Sequence, residues 1–171
     1  MPVSASLIDA EAFAEPVRMG LVALATDLTL EHDLQALLPE AVRLHVTRLA
    51  YANPTTPENL RAMAPGIAAA ADLLVPGADL AAIGFGCTSG AVVIGDAAVG
   101  AAIGRVRPGV PVCAPASAAV QGFRHLGVRR IALLTPYVAQ TTAPVAAYFA
   151  QAGLRVVSTH GLDMEDDRDI A

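Results

Sequence analysis

A chain of 171 residues that is 54% hydrophobic, with mean hydropathy +0.52, holds enough apolar side chain for one full domain or one domain plus part of another. Its apolar residues come in short runs broken by Gly, Pro or charge, and none reaches the roughly 20 residues of a membrane span. The net charge of −5 is concentrated in "DMEDDRD", which carries five acids; the remainder sets eleven acids against ten arginines, a balance that excludes the basic footprint of a nucleic-acid binder.

The predicted elements alternate along the chain. Residues 18–25 form an apolar run of buried-strand type, and residues 26–38 follow as a helix with Thr26 or Asp27 as N-cap. The alternation in "VRLHVTRL" predicts a strand over 42–49. A helix over 56–74 opens on Thr56 as cap with Pro57 at its first position, and Pro65-Gly66 should kink or split it. Strand 80–86, a small-residue helix over 91–106, the strand "VPVCAP", helix 116–127, strand 129–137, helix 138–153 and strand 154–158 complete the series. Strand and helix in strict alternation imply parallel strands with right-handed crossovers, an α/β fold with a doubly wound, three-layer sheet. Ligands bind such sheets at the carboxyl ends of the strands.

Residue types narrow the chemistry further. All eleven basic residues are arginines, so neither a Schiff-base lysine nor a phosphate-loop lysine exists in this chain. The two cysteines, Cys87 and Cys113, belong to no CxxC pair, which argues against zinc. The first ten residues hold an acid and no basic side chain, so we expect no secretory leader and a cytoplasmic protein with free thiols. Cys113, inside "VPVCAP" with no Ser or Thr after it, reads as core.

One loop stands out, "AAIGFGCTSGAVVIG", residues 81–95. As a dinucleotide fingerprint it fails: Ser89 replaces the third glycine, the loop follows the third strand instead of the first, and the next strand ends without an acid. As a strand–thiol–helix turn it fits. Cys87 then stands at a helix N-terminus, where free amides and the helix dipole lower a thiol pKa, and Thr88 and Ser89 add hydroxyl donors able to hold a carboxylate. A buried cysteine in a small-residue turn is the plain structural alternative.

This loop resembles the first cysteine motif of the aspartate/glutamate racemase superfamily, in its maleate isomerase and arylmalonate decarboxylase branch. "GLVALATDLTLEHD", "YANPTTPENLRAMAP" and "IALLTPY" agree in order, the similarity spans residues 16–171, and it is greatest to proteins of ectoine utilisation. The resemblance implies two pseudo-symmetric α/β halves with a site between them, here residues 1–117 and part of the second half over 118–171. It implies Cys87 as the first-half thiolate, base or nucleophile, with Asp27 beside it to orient or deprotonate it. It further implies Asn53, Thr55 and Thr56 as a carboxylate-binding loop and Tyr137 as a site hydroxyl. Helix capping is the alternative for Asp27 and for one of the loop residues, and an interface aromatic for Tyr137.

The implied reaction is cofactor-independent, metal-free proton transfer or isomerisation next to a carboxylate. The implied substrate is a small amino-acid derivative such as an acetylated diaminobutyrate, or a dicarboxylate. A homo-oligomer is compatible with this reading; nucleic acid and membrane are not. Two alternatives stay open: a binding or accessory protein that has lost chemistry, and a one-thiol decarboxylase or maleate-type isomerase. The superfamily's second Cys-Thr motif is missing from these 171 residues, and a complete second layer needs more chain, so we expect a C-terminal truncation that leaves an apolar face uncovered and racemisation disabled.

Overall fold

The computed structural model describes residues 15–170. Six strands and seven α-helices alternate: β1 (Val17–Leu24), α1 (Leu30–Leu37), β2 (Val42–Leu49), α2 (Pro57–Ala62), α3 (Ile67–Asp72), β3 (Ala82–Phe85), α4 (Thr88–Ile94), α5 (Asp96–Gly104), β4 (Val112–Cys113), α6 (Pro115–His125), β5 (Arg130–Tyr137), α7 (Ala139–Gln151) and β6 (Arg155–Met164). All described pairings are parallel. They build two sheets, one in the order β2-β1-β3-β4 and one of β5 and β6; the strand–helix alternation requires the parallel pairing and does not by itself divide the strands between sheets.

The period of two in β1 divides its side chains between two faces. Val22 and Leu24 face α2, α3 and α5 in a core with Leu60, Ile67, Ile83 and Ile103. Met19 and Leu21 face α1 and an apolar recess of about 330 Å³ that also takes Leu34, Leu44 and Cys113. Leu60, Ile67, Ile83 and Ile103 are completely buried, each worth about 1.5–3 kcal/mol of transfer free energy. A second, smaller core joins Val120, Val145, Phe149 and Leu154 between α6, α7 and the two-stranded sheet. Leu134, Val157 and Leu162 of that sheet stand exposed.

Several elements differ from the sequence reading for local reasons. The first helix starts at Leu30, later than expected, because Asp27 Oδ1 accepts the amides of both Thr29 and Leu30 and folds that stretch into a turn. The expected helix 56–74 is split into α2, a 3-10 turn over Ala64–Gly66 and α3, as Pro65-Gly66 requires. The expected helix 91–106 breaks into α4 and α5 at Gly95, whose φ of +96° suits glycine. β6 runs six residues beyond its expected end, to Met164, and a 3-10 turn over Asp167–Ile170 follows it.

The two sheets meet around α4, which packs against α2 and α5 of the first unit and against α6 and α7 of the second. Several hydrogen bonds cross the junction between the two units. Thr141 Oγ1 donates to Thr55 O at 2.8 Å, Tyr148 Oη to Asp96 Oδ2 at 2.6 Å, and Thr55 N to Glu165 O at 2.9 Å. Among the described residues no helix is long and apolar enough to cross a membrane.

Candidate active site

The carboxyl ends of five strands converge on one cavity of about 170 Å³. Asp27 and Thr29 reach it from β1, Tyr51 and Thr55 from β2, and Cys87, Thr88 and Ser89 from β3. Tyr137 closes it from β5 and Asp167 from the turn after β6. Parallel strands place all their carboxyl ends on one side of a layer, so residues spread over 140 positions of sequence meet there for a topological reason.

Cys87 is the N-cap of α4 and is 6% exposed. Its sulfur accepts the amide of Gly90 at 3.2 Å and lies 3.9 Å from Ser89 Oγ. The expected lowering of its pKa is overturned. Burial pushes the thiol up from 9.0 to about 11, the Gly90 amide and the Ser89 hydroxyl pull the other way, and the charges of Asp167 and Asp27 push it up again. The reason is one of magnitude. A helix terminus favours an anion by about 0.3–1 kcal/mol. Moving a thiol from 9.0 to about 11 corresponds to about 3 kcal/mol against the thiolate. Cys87 therefore rests as a thiol.

The two tyrosines share this behaviour. Burial pushes Tyr51 up to about 12, opposed by its hydrogen bond to Thr55 and assisted by the charge of Asp167. Burial also pushes Tyr137 up, opposed by the Ser89 hydroxyl beside it. The pocket thus presents three protonated acids, the Cys87 thiol and the phenols of Tyr51 and Tyr137, together with the hydroxyls of Thr55, Thr88 and Ser89. Such an arrangement can donate hydrogen bonds to a carboxylate and to the negative charge that develops on it when the neighbouring carbon loses a proton.

The other sequence-selected residues divide. Thr55 is buried, and its hydroxyl accepts Tyr51 Oη at 2.8 Å. Thr56 caps α2 by accepting the Asn59 amide at 3.3 Å and does not line the cavity. Asn53 also stands behind the cavity wall. Its amide donates to Asp166 Oδ1 and Asp167 Oδ1, both at 2.8 Å, and its carbonyl oxygen accepts the Asp167 amide at 3.2 Å. Asp27 does two things at once, closing the turn before α1 and lining the cavity. Cys113 is exposed, against the expectation of a core position, because β4 has only two residues at the sheet edge and its side chain faces the open recess.

Sequence reasoning missed Tyr51 and Asp167. Tyr51 sits inside "YANPTTPENLRAMAP", whose Asn and Thr residues carry the resemblance to a carboxylate-binding loop. Asp167 lies within the acidic run "DMEDDRD". Thr26 Oγ1 donates to one of its carboxylate oxygens and Asn53 to the other, which turns it toward the site. The signal was the length of β6: with the strand extended to Met164, Asp167 falls at a strand carboxyl end like the other site residues.

Solved proteins share this architecture. Maleate isomerase from Pseudomonas putida, determined with maleate, superposes with a TM-score of 0.80 at 24% identity over 90% of this chain and 66% of that one. A cysteine-to-serine variant of maleate cis-trans isomerase from Nocardia farcinica, determined with a covalently bound succinylcysteine intermediate, gives a TM-score of 0.78 at 26% identity over 90% and 66%. A double mutant of arylmalonate decarboxylase in a liganded form gives 0.70 at 27% over 87% and 63%. The curated maleate isomerase of Geobacillus stearothermophilus is 33% identical over 60 residues, 35% of this chain and 24% of that protein. The chain thus spans just under two thirds of the solved relatives and a quarter of the curated one. The family model for arylmalonate decarboxylase matches residues 19–171, and the chain belongs to that family.

Proposed function

We propose that this protein is a cofactor-independent racemase or isomerase that moves a proton at the carbon next to a carboxylate of a small substrate, with Cys87 as the reacting thiol. The observation that carries this reading is the buried Cys87 sulfur in a cavity ringed by hydroxyl donors. In the removal step the Cys87 thiol first passes its own proton to Asp27, which lines the same cavity; the thiolate then takes the substrate proton, and the C–H electron pair moves onto the carboxylate as an enediolate. Thr88, Ser89 and Tyr137 donate to the oxygens on which that charge develops. Return of the proton from Cys87 restores the starting hand, after which the thiolate recovers its own proton from Asp27; inversion takes an acid on the opposite face of the enediolate. The motif resemblance to ectoine-utilisation proteins supports an amino-acid derivative as substrate and a cytoplasmic setting. The family membership supports thiol chemistry on a carboxylate.

A one-thiol decarboxylase is the second reading, favoured by the protonated resting state of Cys87, which suits delivery of a proton to a carbanion left by departing carbon dioxide. Deuterium wash-in separates these readings. Candidate acids are incubated with the protein in D2O and followed by proton NMR. The racemase or isomerase reading expects loss of the signal at the carbon next to the carboxylate, abolished by Cys87→Ser. Release of carbon dioxide from malonates without wash-in supports the decarboxylase. Wash-in that survives Cys87→Ser overturns the role of the thiol, and binding without either reaction leaves a ligand-binding protein.

A further inference from the structure

The cavity wall is charged in one sense only. Asp27 and Asp167 line it, and among the described residues around it there is no Arg or His, while the chain has no lysine at all. The two arginines near that end of the fold are engaged elsewhere. Arg48 donates to Leu24 O at 3.0 Å, to Asp27 O at 2.7 Å and to Glu31 Oε2 at 2.8 Å. Arg168 is paired with Asp166. Asp167 is held in place by Asn53 and Thr26, and Asp27 by the amides of Thr29 and Leu30, so neither carboxylate can swing away to admit a second anion without breaking those bonds.

The remaining polar lining is hydroxyl: Thr29, Thr55, Thr88 and Ser89 with the Tyr51 and Tyr137 phenols; the Tyr51 proton is donated to Thr55, and Thr88, Ser89 and Tyr137 are donors open to a ligand. A ligand that satisfies both halves of such a wall carries an anion at one end and a cation, or at least N–H donors, at the other. Size restricts it further. A cavity of about 170 Å³ is close to the roughly 150 Å³ that holds one benzene. That leaves room for a short aliphatic amino acid and little room for an aryl group with two carboxylates.

We propose that this site selects a small amino-carboxylate, with the carboxylate on the hydroxyls of Thr88, Ser89 and Tyr137 and the cationic or N–H-bearing end on Asp27 and Asp167, and that it rejects dicarboxylates. The proposal rests on the reading of the Cys87 cavity as a substrate site and names the substrate class for it. It also gives the acids a part in selectivity. Both carboxylates disfavour the Cys87 thiolate. A cation seated against them cancels that influence, so the thiol ionises more readily beside a ligand of the right charge than beside a dianion.

Calorimetric binding of three matched sets tests this: β-alanine and 4-aminobutyrate, propionate and butyrate, malonate and succinate. Protection of Cys87 from alkylation, read by site-resolved mass spectrometry, reports whether each compound occupies this cavity. The expected order is amino-carboxylates at least ten-fold tighter than the plain acids, with the dicarboxylates weakest. Asp167→Asn should shrink the first gap and strengthen the dicarboxylates, and Asp27→Asn, which keeps the Oδ1 acceptor for the turn, should do the same if the first variant folds poorly. Dicarboxylates or plain acids that bind and protect Cys87 as well as the amino-carboxylates overturn the proposal and leave the site reading intact. The same holds if both variants keep the wild-type order. Binding of any set without protection of Cys87, or no binding at all, overturns the site reading and the proposal with it.

Discussion

Asn53 and Asp167, 114 positions apart, grip one another twice: the Asn53 amide donates to the Asp167 carboxylate at 2.8 Å and the Asp167 main-chain amide returns a bond to Asn53 Oδ1 at 3.2 Å. The exchange fastens the turn after β6 to the loop after β2 and holds the Asp167 carboxylate in the wall of the cavity that Cys87 lines. Asn53→Ala leaves the partners half-buried and unmatched, at a cost of roughly 1–3 kcal/mol. The expected result is a lower urea midpoint together with faster alkylation of Cys87. A lower midpoint with unchanged alkylation would mean that the turn does not cover the thiol.

The raised pKa values set the alkaline limit of stability. Cys87 holds its proton up to about 11 in the folded protein against 9.0 for a free thiol, and Tyr51 up to about 12 against 10.0. Above about pH 9 the unfolded chain gives up the thiol proton while the native state keeps it. The unfolded state then binds fewer protons, and stability falls as pH rises. The thiol's share is fully present below pH 9 and lost through about pH 11. Denaturation between pH 8 and 11 should show this slope, and Cys87→Ser should flatten its lower part. Alkylation at pH 7 to 8 should label the exposed Cys113 first, with Cys87 lagging until strongly alkaline pH.

Neighbouring threonines separate support from site. Thr56 caps α2, and Thr56→Ala should cost about 1 kcal/mol and leave ligand affinity unchanged. Thr55 is buried, receives the Tyr51 phenol and faces the cavity. Thr55→Val keeps the shape and strands that phenol, so both stability and ligand affinity should fall. Urea midpoints and calorimetry on the two variants give the comparison, and an equal loss of affinity in both would return Thr56 to the binding site.

The alternation of periods made the α/β layers legible, because a buried strand and an amphipathic helix leave different spacings of apolar residues. Thr56-Pro57 and Pro65-Gly66 were legible because capping and ring closure act locally. Three things were not. The start of α1 depended on an aspartate choosing a turn over a helix, a competition of nearly equal local bonds. The exposure of Cys113 depended on β4 being a two-residue edge strand, which apolar "VPVCAP" hides. The pKa of Cys87 depended on full burial, and the sequence showed only the helix end that opposes it. Asp167 was hidden for a related reason, since an acid in a charged run is distinguished only by the strand that delivers it.

The tightest packing around the thiol belongs to Gly90. A Cβ there would stand 2.8 Å from Cys87 Sγ, 2.8 Å from Met63 Cε and 3.2 Å from Cys87 Cβ. Met63 can give way at the end of a flexible chain. The sulfur has a single torsion, and turning it forfeits the Gly90 amide that it accepts at 3.2 Å. Gly90→Ala should therefore cost roughly 1–3 kcal/mol and shift the thiol within its cavity, seen as altered alkylation of Cys87. Gly100 supplies the control. It lies inside α5 with nothing within 4 Å of its added Cβ, and Gly100→Ala should gain about 0.5–1 kcal/mol from the lower entropy of the unfolded chain. The two urea curves, measured side by side, should move in opposite directions. If they move together, the glycine beside Cys87 is there for helix entry alone, and the thiol has room to spare.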